Sequence, residues 1–259
     1  MFDFLELLLL GAIAGFTIFL GLPVALMQVK DRTRGLLNAL AVGILIFLIV
    51  DVFSHAWELT SDSAASAFEG IGSAGDAAAL LILMFGGLGL GLLGLAYYEG
   101  RYMGKAPGGV TPAKMATMIA LGIGLHNFSE GLAIGQSFAS SEIALAVVLV
   151  IGFGAHNSTE GFGIVAPLAG SKPGTRFLAK LLLIGGAPTF FGTLIGSLAY
   201  SELAYVMFLS LAGGALVYVT MTMFNAGRRQ WSSELMMMGV IIGLSAGFLT
   251  DLIVSVGGA

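Results

Sequence analysis

The stretch His126–Gly131 reads HNFSEG, and thirty residues after its start the stretch His156–Gly161 reads HNSTEG. Each copy of this His-Asn-x-x-Glu-Gly motif lies within an apolar run long enough to cross a bilayer. Ionisable side chains at that depth are costly and rare, so they indicate a functional site. Because imidazole nitrogens and carboxylate oxygens bind borderline divalent cations, the motif pair predicts a metal site within a membrane.

The composition is that of a membrane protein. Of the 259 residues, 57% are hydrophobic and only 10% are charged, whereas soluble domains carry roughly 25% charged residues. The net charge of -4 argues against nucleic acid as a partner. The chain has no cysteine, which excludes disulfides and thiolate ligands. We therefore expect an all-α polytopic membrane protein in contact with lipid.

The apolar runs predict eight membrane-spanning helices within a single transporter domain, residues 1–259. The expected spans are about 5–28, 35–57, 77–98, 114–138, 142–168, 177–199, 203–224 and 235–256. The longest expected loops are 58–76, which is acidic, and 99–113.

The charges alternate from loop to loop. All eleven Lys and Arg residues lie in or beside four alternate loops, which include Arg34, Arg101, Arg176 and Arg229. The remaining loops carry acids instead, namely Glu58, Asp62, Glu69, Asp76, Glu142 and Glu202. By the positive-inside rule the basic loops are cytoplasmic. Both termini are then extracytoplasmic, and we expect the protein in the inner or plasma membrane of the cell.

A second repeat relates span 2 to span 7 at an offset of 171 residues. Ala41, Gly43, Leu45, Phe47 and Phe53 fall on Ala212, Gly214, Leu216, Tyr218 and Phe224. Spans 2 and 7 cross the membrane in opposite directions, as do spans 4 and 5. Inverted repeats of this kind are typical of transporters, whose substrate site lies near the midplane.

Within each motif the polar side chains share one helix face, because His126 and Glu130 are four residues apart and Asn127 is three from Glu130. Spans 4 and 5 are joined by a short connection and must be antiparallel neighbours. Facing each other, they offer six candidate ligands: His126, Asn127, Glu130, His156, Asn157 and Glu160. These could hold one four-coordinate metal or two bridged metals. Gly131 and Gly161 would let the two helices approach each other.

Two other interpretations of polar residues stay open. The motif side chains could simply hydrogen-bond between helices and hold the bundle together. On span 2, Asp51, His55 and Glu58 lie at i, i+4 and i+7, so they could form an entrance relay or an ordinary hydrated helix end. Asp251, near the end of span 8, is expected at the membrane interface.

The eight spans, the outside termini and the paired motifs resemble the ZIP (Zrt/Irt-like) family of divalent metal transporters, in particular its compact prokaryotic GufA-like branch. The resemblance covers essentially the whole chain and implies that the motif residues bind a metal that moves into the cytoplasm. It also implies that spans 1, 4, 5 and 6 slide against spans 2, 3, 7 and 8, often in a homodimer. No catalytic cofactor is implied.

The sequence departs from the family pattern at three places. Many relatives have proline before the motif glutamate, where this chain has Ser129 and Thr159, so straighter helices are expected. Many carry a Glu-Pro pair on span 6, where this chain has Ala187-Pro188. A second metal position would therefore lack one carboxylate. The histidine-rich loop of many relatives is absent from 99–113.

Three functions remain in competition. The first is transport of a divalent metal, with Zn²⁺ favoured and Fe²⁺, Mn²⁺, Co²⁺ or Cd²⁺ possible, because the donors are nitrogen and oxygen. The second is a membrane-embedded zinc-dependent hydrolase, although the chain shows no separate base or nucleophile. The third is a proton-coupled carrier of an organic cation, which would leave both histidines unexplained.

The topology can be tested with cysteines introduced at Ser61 and Lys105 in this cysteine-free chain. We expect a membrane-impermeant thiol reagent to label Ser61→Cys in intact cells, because the acidic loop is outside, and to spare Lys105→Cys. Labelling of position 105 without position 61 would reverse the orientation.

Overall fold

The computed structural model describes residues 4–103, 111–139, 143–198 and 201–257, and within them the chain is helical, with no strand. Nine helices are described: α1 Phe4–Phe16, α2 Leu22–Leu26, α3 Asp31–Phe68, α4 Ala74–Tyr98, α5 Pro112–Ala139, α6 Ile143–Val165, α7 Thr175–Leu198, α8 Glu202–Gln230 and α9 Ser233–Gly257. Glu142 and residues 104–110 of the expected 99–113 loop, which include Lys105, lie outside the described residues.

The helices lie at the positions of the predicted spans. Six helical stretches in the described part of the chain are long and apolar enough to cross a membrane. The other two long helices are α5 and α6, which carry the motifs and complete a set of eight. The protein is thus an all-α polytopic membrane protein.

The first crossing is broken in its middle. Helices α1 and α2 are joined by a 3₁₀ turn, Thr17–Gly21, so that Phe4–Leu26 makes one crossing. Pro23 lies in the first turn of α2, where its missing N–H costs little, and it cannot continue the helical hydrogen bonds of α1. Pro188, by contrast, lies inside the continuous helix α7.

The expected acidic loop 58–76 was wrong, because α3 continues as a helix to Phe68 and α4 begins at Ala74. Alanines at 64, 65 and 67 favour the helix. Hydropathy detects only the part of a helix that is apolar, and α3 has 38 residues. At 1.5 Å per residue such a helix is about 57 Å long, well beyond a hydrocarbon core of about 30 Å. Its acidic end therefore extends past the membrane.

The helices pack in two groups. The motif group contains α1, α2, α5, α6 and α7, with α5 against α7 and α1 against both α6 and α7. The frame group contains α3, α4, α8 and α9, with α3 against α9 and α4 against α8. This division matches the grouping of spans that the family resemblance implied. The groups meet mainly where α5 contacts α8 and where α6 contacts α3 and α9.

Glycine contacts show the inverted repeat directly in the frame group. A Cβ on Gly43 would lie 2.2 Å from the Val240 carbonyl oxygen, and a Cβ on Gly214 would lie 2.2 Å from the Leu88 carbonyl oxygen. Gly43 and Gly214 are related by the predicted offset of 171, and Leu88 and Val240 by an offset of 152. The contact between α3 and α9 is therefore repeated at equivalent residues in the contact between α8 and α4.

The motif glycines also mark close helix contacts, but not the one expected. A Cβ on Gly131 would lie 2.1 Å from the Thr189 carbonyl oxygen of α7, and one on Gly161 would lie 1.9 Å from the Ile18 carbonyl oxygen. The prediction that these glycines bring α5 and α6 together was wrong. The antiparallel motif helices instead each press against a parallel neighbour, and Ile18 and Thr189 are again 171 residues apart.

We expect Gly161→Ala to destabilise the protein by about 1–3 kcal/mol, because the added methyl group must displace a backbone carbonyl. Gly163→Ala is the matched control, since no atom outside its own stretch of helix lies within 4 Å of a Cβ at that position. Thermal unfolding in detergent should give a lower Tm for Gly161→Ala alone. Equal Tm values for the two variants would contradict this packing.

Candidate metal site

The four ionisable motif side chains lie together in the interior. On α5, His126 is 2% exposed and Glu130 is 5% exposed; on α6, His156 is 5% exposed and Glu160 is fully buried. Both helices run without interruption through the motifs, where Ser129 and Thr159 donate hydrogen bonds to carbonyl oxygens of their own helices. The two faces predicted from the spacing therefore do meet.

Glu160 is at the centre of this cluster. Its Oε1 lies 3.7 Å from Nε2 of His126 and 3.7 Å from Nε2 of His156. His126 Nε2 is also 3.4 Å from Glu130 Oε1. Two ligand atoms on a tetrahedral zinc ion, with bonds of about 2.0–2.1 Å, are separated by about 3.3 Å. The observed separations are close to that value, so a small inward movement would suffice to bind the ion.

The ligand atoms lack hydrogen-bond partners. Both ring nitrogens of His126, Nε2 of His156, both carboxylate oxygens of Glu160 and Oε2 of Glu130 are buried without one. Buried polar atoms are nearly always hydrogen-bonded, and each exception calls for an explanation. A bound cation would satisfy Nε2 of each histidine together with glutamate oxygens, whereas a purely structural hydrogen-bond network would not leave these atoms unpaired.

Each of the two asparagines is anchored by a hydrogen bond to a carbonyl oxygen of a neighbouring helix. Asn127 Nδ2 donates to the Gly185 carbonyl oxygen at 3.0 Å, and Asn157 Nδ2 donates to the Ala14 carbonyl oxygen at 2.8 Å. Gly185 and Ala14 are again 171 residues apart. In both asparagines Oδ1 is buried and unpartnered. The amide is therefore oriented so that its oxygen remains available as a ligand.

A third helix brings a further carboxylate to the site. Asp51 of α3 belongs to the frame group, and one of its oxygens lies within 4.8 Å of a ring nitrogen of His126 and of His156. Its other neighbour is His55, whose Nδ1 lies 3.5 Å from Asp51 Oδ1. The sequence spacing left Asp51 either in an entrance relay or at a hydrated helix end, and the structure brings one of its oxygens within 4.8 Å of the motif histidines.

A cavity of about 150 Å³ adjoins the site, lined by Asp51, His55, His126, Glu130, His156, Tyr205 and Asp251, with three apolar residues. Asp251, which was expected at the membrane interface, lines this cavity together with Asp51. Spacing could not show this, since α3 and α9 are far apart in sequence. Tyr205 was missed altogether, and its sequence context gives no signal for it.

Two further cavities continue toward the acidic end of the bundle, which is the end that carries the acidic loops. The first, about 440 Å³, shares His55 and Tyr205 with the cavity at the site and adds Glu58 and Asp62. The second, about 530 Å³, shares Asp62 and adds Asp76 and Glu202. Asp51, His55 and Glu58 thus lie in order along an acid-lined route from the site to the acidic end.

Known proteins resemble this chain over much of its length. The sequence model of the ZIP zinc transporter family matches residues 108–250, which include both motifs. The chain belongs to the ZIP family. It is also 36% identical over 156 residues to the zinc transporter GufA of Myxococcus xanthus. That alignment covers 58% of this chain and 61% of GufA, so it spans less than two thirds of the relative's length.

We expect Asp51→Asn to weaken zinc binding to this ZIP-family protein by roughly 10-fold or more, because a charged ligand matters at least as much as a group that merely orients one. Calorimetric titration of the purified protein in detergent measures the affinity. Glu69→Gln is the matched control, since Glu69 lies in the exposed turn directly after the same helix. Equal affinities for parent and Asp51→Asn would remove Asp51 from the ligand set.

Proposed function

We propose that this protein carries divalent transition metals across the membrane by alternating access through the buried His/Glu/Asn site. Zinc is the first candidate, and iron, manganese, cobalt and cadmium are further ones. The supporting observation is the cluster of His126, Glu130, His156 and Glu160, which are buried with ligand atoms unpartnered. The name of the GufA relative and the family description agree with zinc.

The charge of the site favours a dication. A metal ion that leaves water for the membrane interior needs negative charge nearby, and Glu130 and Glu160 supply it from the motif group, with Asp51 from the frame group. Imidazole nitrogens together with carboxylates suit Zn²⁺ and its transition-metal neighbours better than Mg²⁺ or Ca²⁺, which prefer oxygen alone. Without a thiolate the site also offers little to Cu⁺.

The size of the cavity separates this proposal from its competitors. A volume of about 150 Å³ lies below the roughly 300–1,000 Å³ of pockets that bind organic ligands. An ion with part of its water shell fits, whereas an organic cation or the substrate of a hydrolase fits poorly. The symmetry of the two motifs also suits a path that opens alternately to either side.

The acid-lined route supports entry from the acidic end. If the basic loops are cytoplasmic, the route opens to the outside of the cell membrane and the metal moves into the cytoplasm. The carboxylates of Glu58, Asp62, Asp76 and Glu202 would raise the local concentration of cations at its mouth. His55 would then pass the ion to Asp51 and the motif ligands.

We assign the principal metal position to His126, Glu130, His156 and Glu160. Asn127 and Asn157 serve a secondary position, because each presents a neutral Oδ1 that its anchored Nδ2 holds in place. Ala187 supplies no charge to that second position. One tightly held metal ion is therefore the expected stoichiometry.

Zinc flux into proteoliposomes tests the proposal. We expect Glu130→Gln and Glu160→Gln to reduce flux to the background of empty vesicles, because each removes a formal charge from a buried dication. Asn127→Ala and Asn157→Ala should retain part of it, with losses of roughly 10-fold. Glu69→Gln, in the exposed turn after α3, is the matched control.

The proposal fails if the wild-type protein moves Mg²⁺ at a rate that excess Zn²⁺ does not lower. The assignment of roles fails separately if both glutamine variants transport normally while the asparagine variants are inactive. Metal content per protein in each purified variant distinguishes a lost ligand from a blocked movement.

A further inference from the structure

Phe47 of α3 and Tyr218 of α8 are two aromatic residues of the frame group that lie at the same level of the bundle. Phe53 of α3 packs its ring against Gly213 of the antiparallel helix α8. Phe47 lies six residues from Phe53 toward the basic end, which is the end of the bundle that carries the Lys and Arg loops. Tyr218 lies five residues from Gly213 in the same direction. Phe47 and Tyr218 are also related by the repeat offset of 171.

Phe47 closes the site on its basic side. Its ring centroid lies 5.4 Å from that of His156 and 5.1 Å from that of Phe248. It is 2% exposed, and a Cβ on Gly247 would lie only 2.4 Å from its Cγ, so only glycine leaves room for the ring there. Asp51, which lines the cavity, is one turn further toward the acidic end.

Further apolar side chains lie beyond Phe47 toward the basic end. Ile44 on α3, Ile123 on α5 and Ile164 on α6 each follow the site residues of their helices toward the basic end, and all belong with Phe47 to one buried apolar cluster. Each is at most 2% exposed. The acid-lined route therefore ends at the metal ligands, and an apolar layer separates them from the basic end.

Tyr218, the repeat partner of Phe47, makes a different contact. Its hydroxyl donates a hydrogen bond to the Glu99 carboxylate at the end of α4. Glu99 is itself the repeat partner of Asp251, at the offset of 152 that relates α4 to α9. The pair Tyr218 and Glu99 therefore corresponds to the pair Phe47 and Asp251, but Glu99 holds the Tyr218 hydroxyl, whereas Phe47 lies against a motif histidine.

A pocket of about 130 Å³ at the basic end repeats the entrance. Its lining includes Arg34, Asn38 and Ala226, which are the repeat partners of Tyr205, Leu209 and His55 in the lining of the site cavity. Pro167 of the motif group also lines it, thirty residues after Ser137 of the entrance. Asn38 Nδ2 is buried there without an acceptor.

We propose that Phe47 and Tyr218 are the alternating barriers of the path and that the pocket at Arg34, Asn38 and Ala226 is its exit. In the opposite state Tyr218 leaves Glu99 and lies against His126 as Phe47 now lies against His156. The route is then closed toward the acidic end. Glu99 faces the opened exit as Asp251 now faces the entrance. The inference rests on the proposed alternating access, but it concerns residues outside the metal-ligand set.

The absence of cysteine allows a test by accessibility. Ala226→Cys reports opening of the exit and Ser137→Cys reports opening of the entrance, using a water-soluble thiol reagent on metal-free protein in detergent. Phe47→Ala removes the present barrier, so Ala226→Cys should react several-fold faster. Tyr218→Phe keeps the ring but releases it from Glu99, which should have the same effect.

Tyr218→Ala distinguishes a barrier from a structural contact. It removes the ring that closes the opposite state, so Ala226→Cys should react no faster than in the parent while Ser137→Cys reacts at least as fast. Phe53→Leu, on the same helix but packed within the frame group, should change neither rate. Size-exclusion profiles identify any variant that does not fold, and Tyr218→Phe and Phe47→Leu provide conservative replacements.

The proposal is overturned if Tyr218→Phe and Tyr218→Ala shift the Ala226→Cys rate in the same direction, or if Phe47→Ala leaves that rate unchanged. Labelling requires no metal, so this result is independent of the flux experiment. Normal zinc flux without these shifts would reject the barriers and keep transport. The shifts without zinc flux would keep the barriers and reject zinc as the substrate.

Discussion

The structure depends on the burial of four ionisable side chains that have no adequate protein partner. Two imidazoles and two carboxylates lie within a low-dielectric interior, each with at least one buried ligand atom unpaired. Folding around such a cluster carries a desolvation penalty of several kcal/mol per ion in typical cases. A dication offsets this penalty directly, because one charge satisfies several ligand atoms at once. The surrounding helices serve to hold these atoms about 3.4–3.7 Å apart.

Backbone contacts supply the rigidity that this arrangement requires. Each motif helix is pinned to a parallel neighbour by an asparagine amide on one carbonyl and by a glycine on the carbonyl one turn further along. Small residues allow this approach, and the lipid itself provides no hydrophobic force that would bring helices together. The motif is therefore a structural unit as well as the proposed ligand set: histidine and glutamate meet in the buried cluster, while asparagine and glycine fix the helix that carries them.

The repeat makes the frame group symmetric in its packing but asymmetric in its contacts with the site. Its glycine contacts agree between the two halves, whereas Phe47 lies against a histidine and Tyr218 is held by Glu99. The carboxylates of Asp51 and Asp251 face the route to the acidic end, and the opposite route is filled by apolar side chains. This combination of symmetric packing and asymmetric contacts fits the alternating access proposed above.

The sequence alone determined the helical membrane class, the positions of the spans, the family and the motif side chains that meet, because each depends on local patterns: apolar length, charge in loops, and spacing on a helix face. It also revealed the repeat between spans 2 and 7. Only the tertiary structure decided which helices the motif glycines contact, that α3 extends to Phe68, and that Asp51 and Asp251 join the site cavity. The glycine and cavity contacts join residues between 58 and 200 positions apart and depend on helix rotation set by packing, which no local pattern encodes. The length of α3 was missed for another reason, because hydropathy does not detect the polar end of a helix.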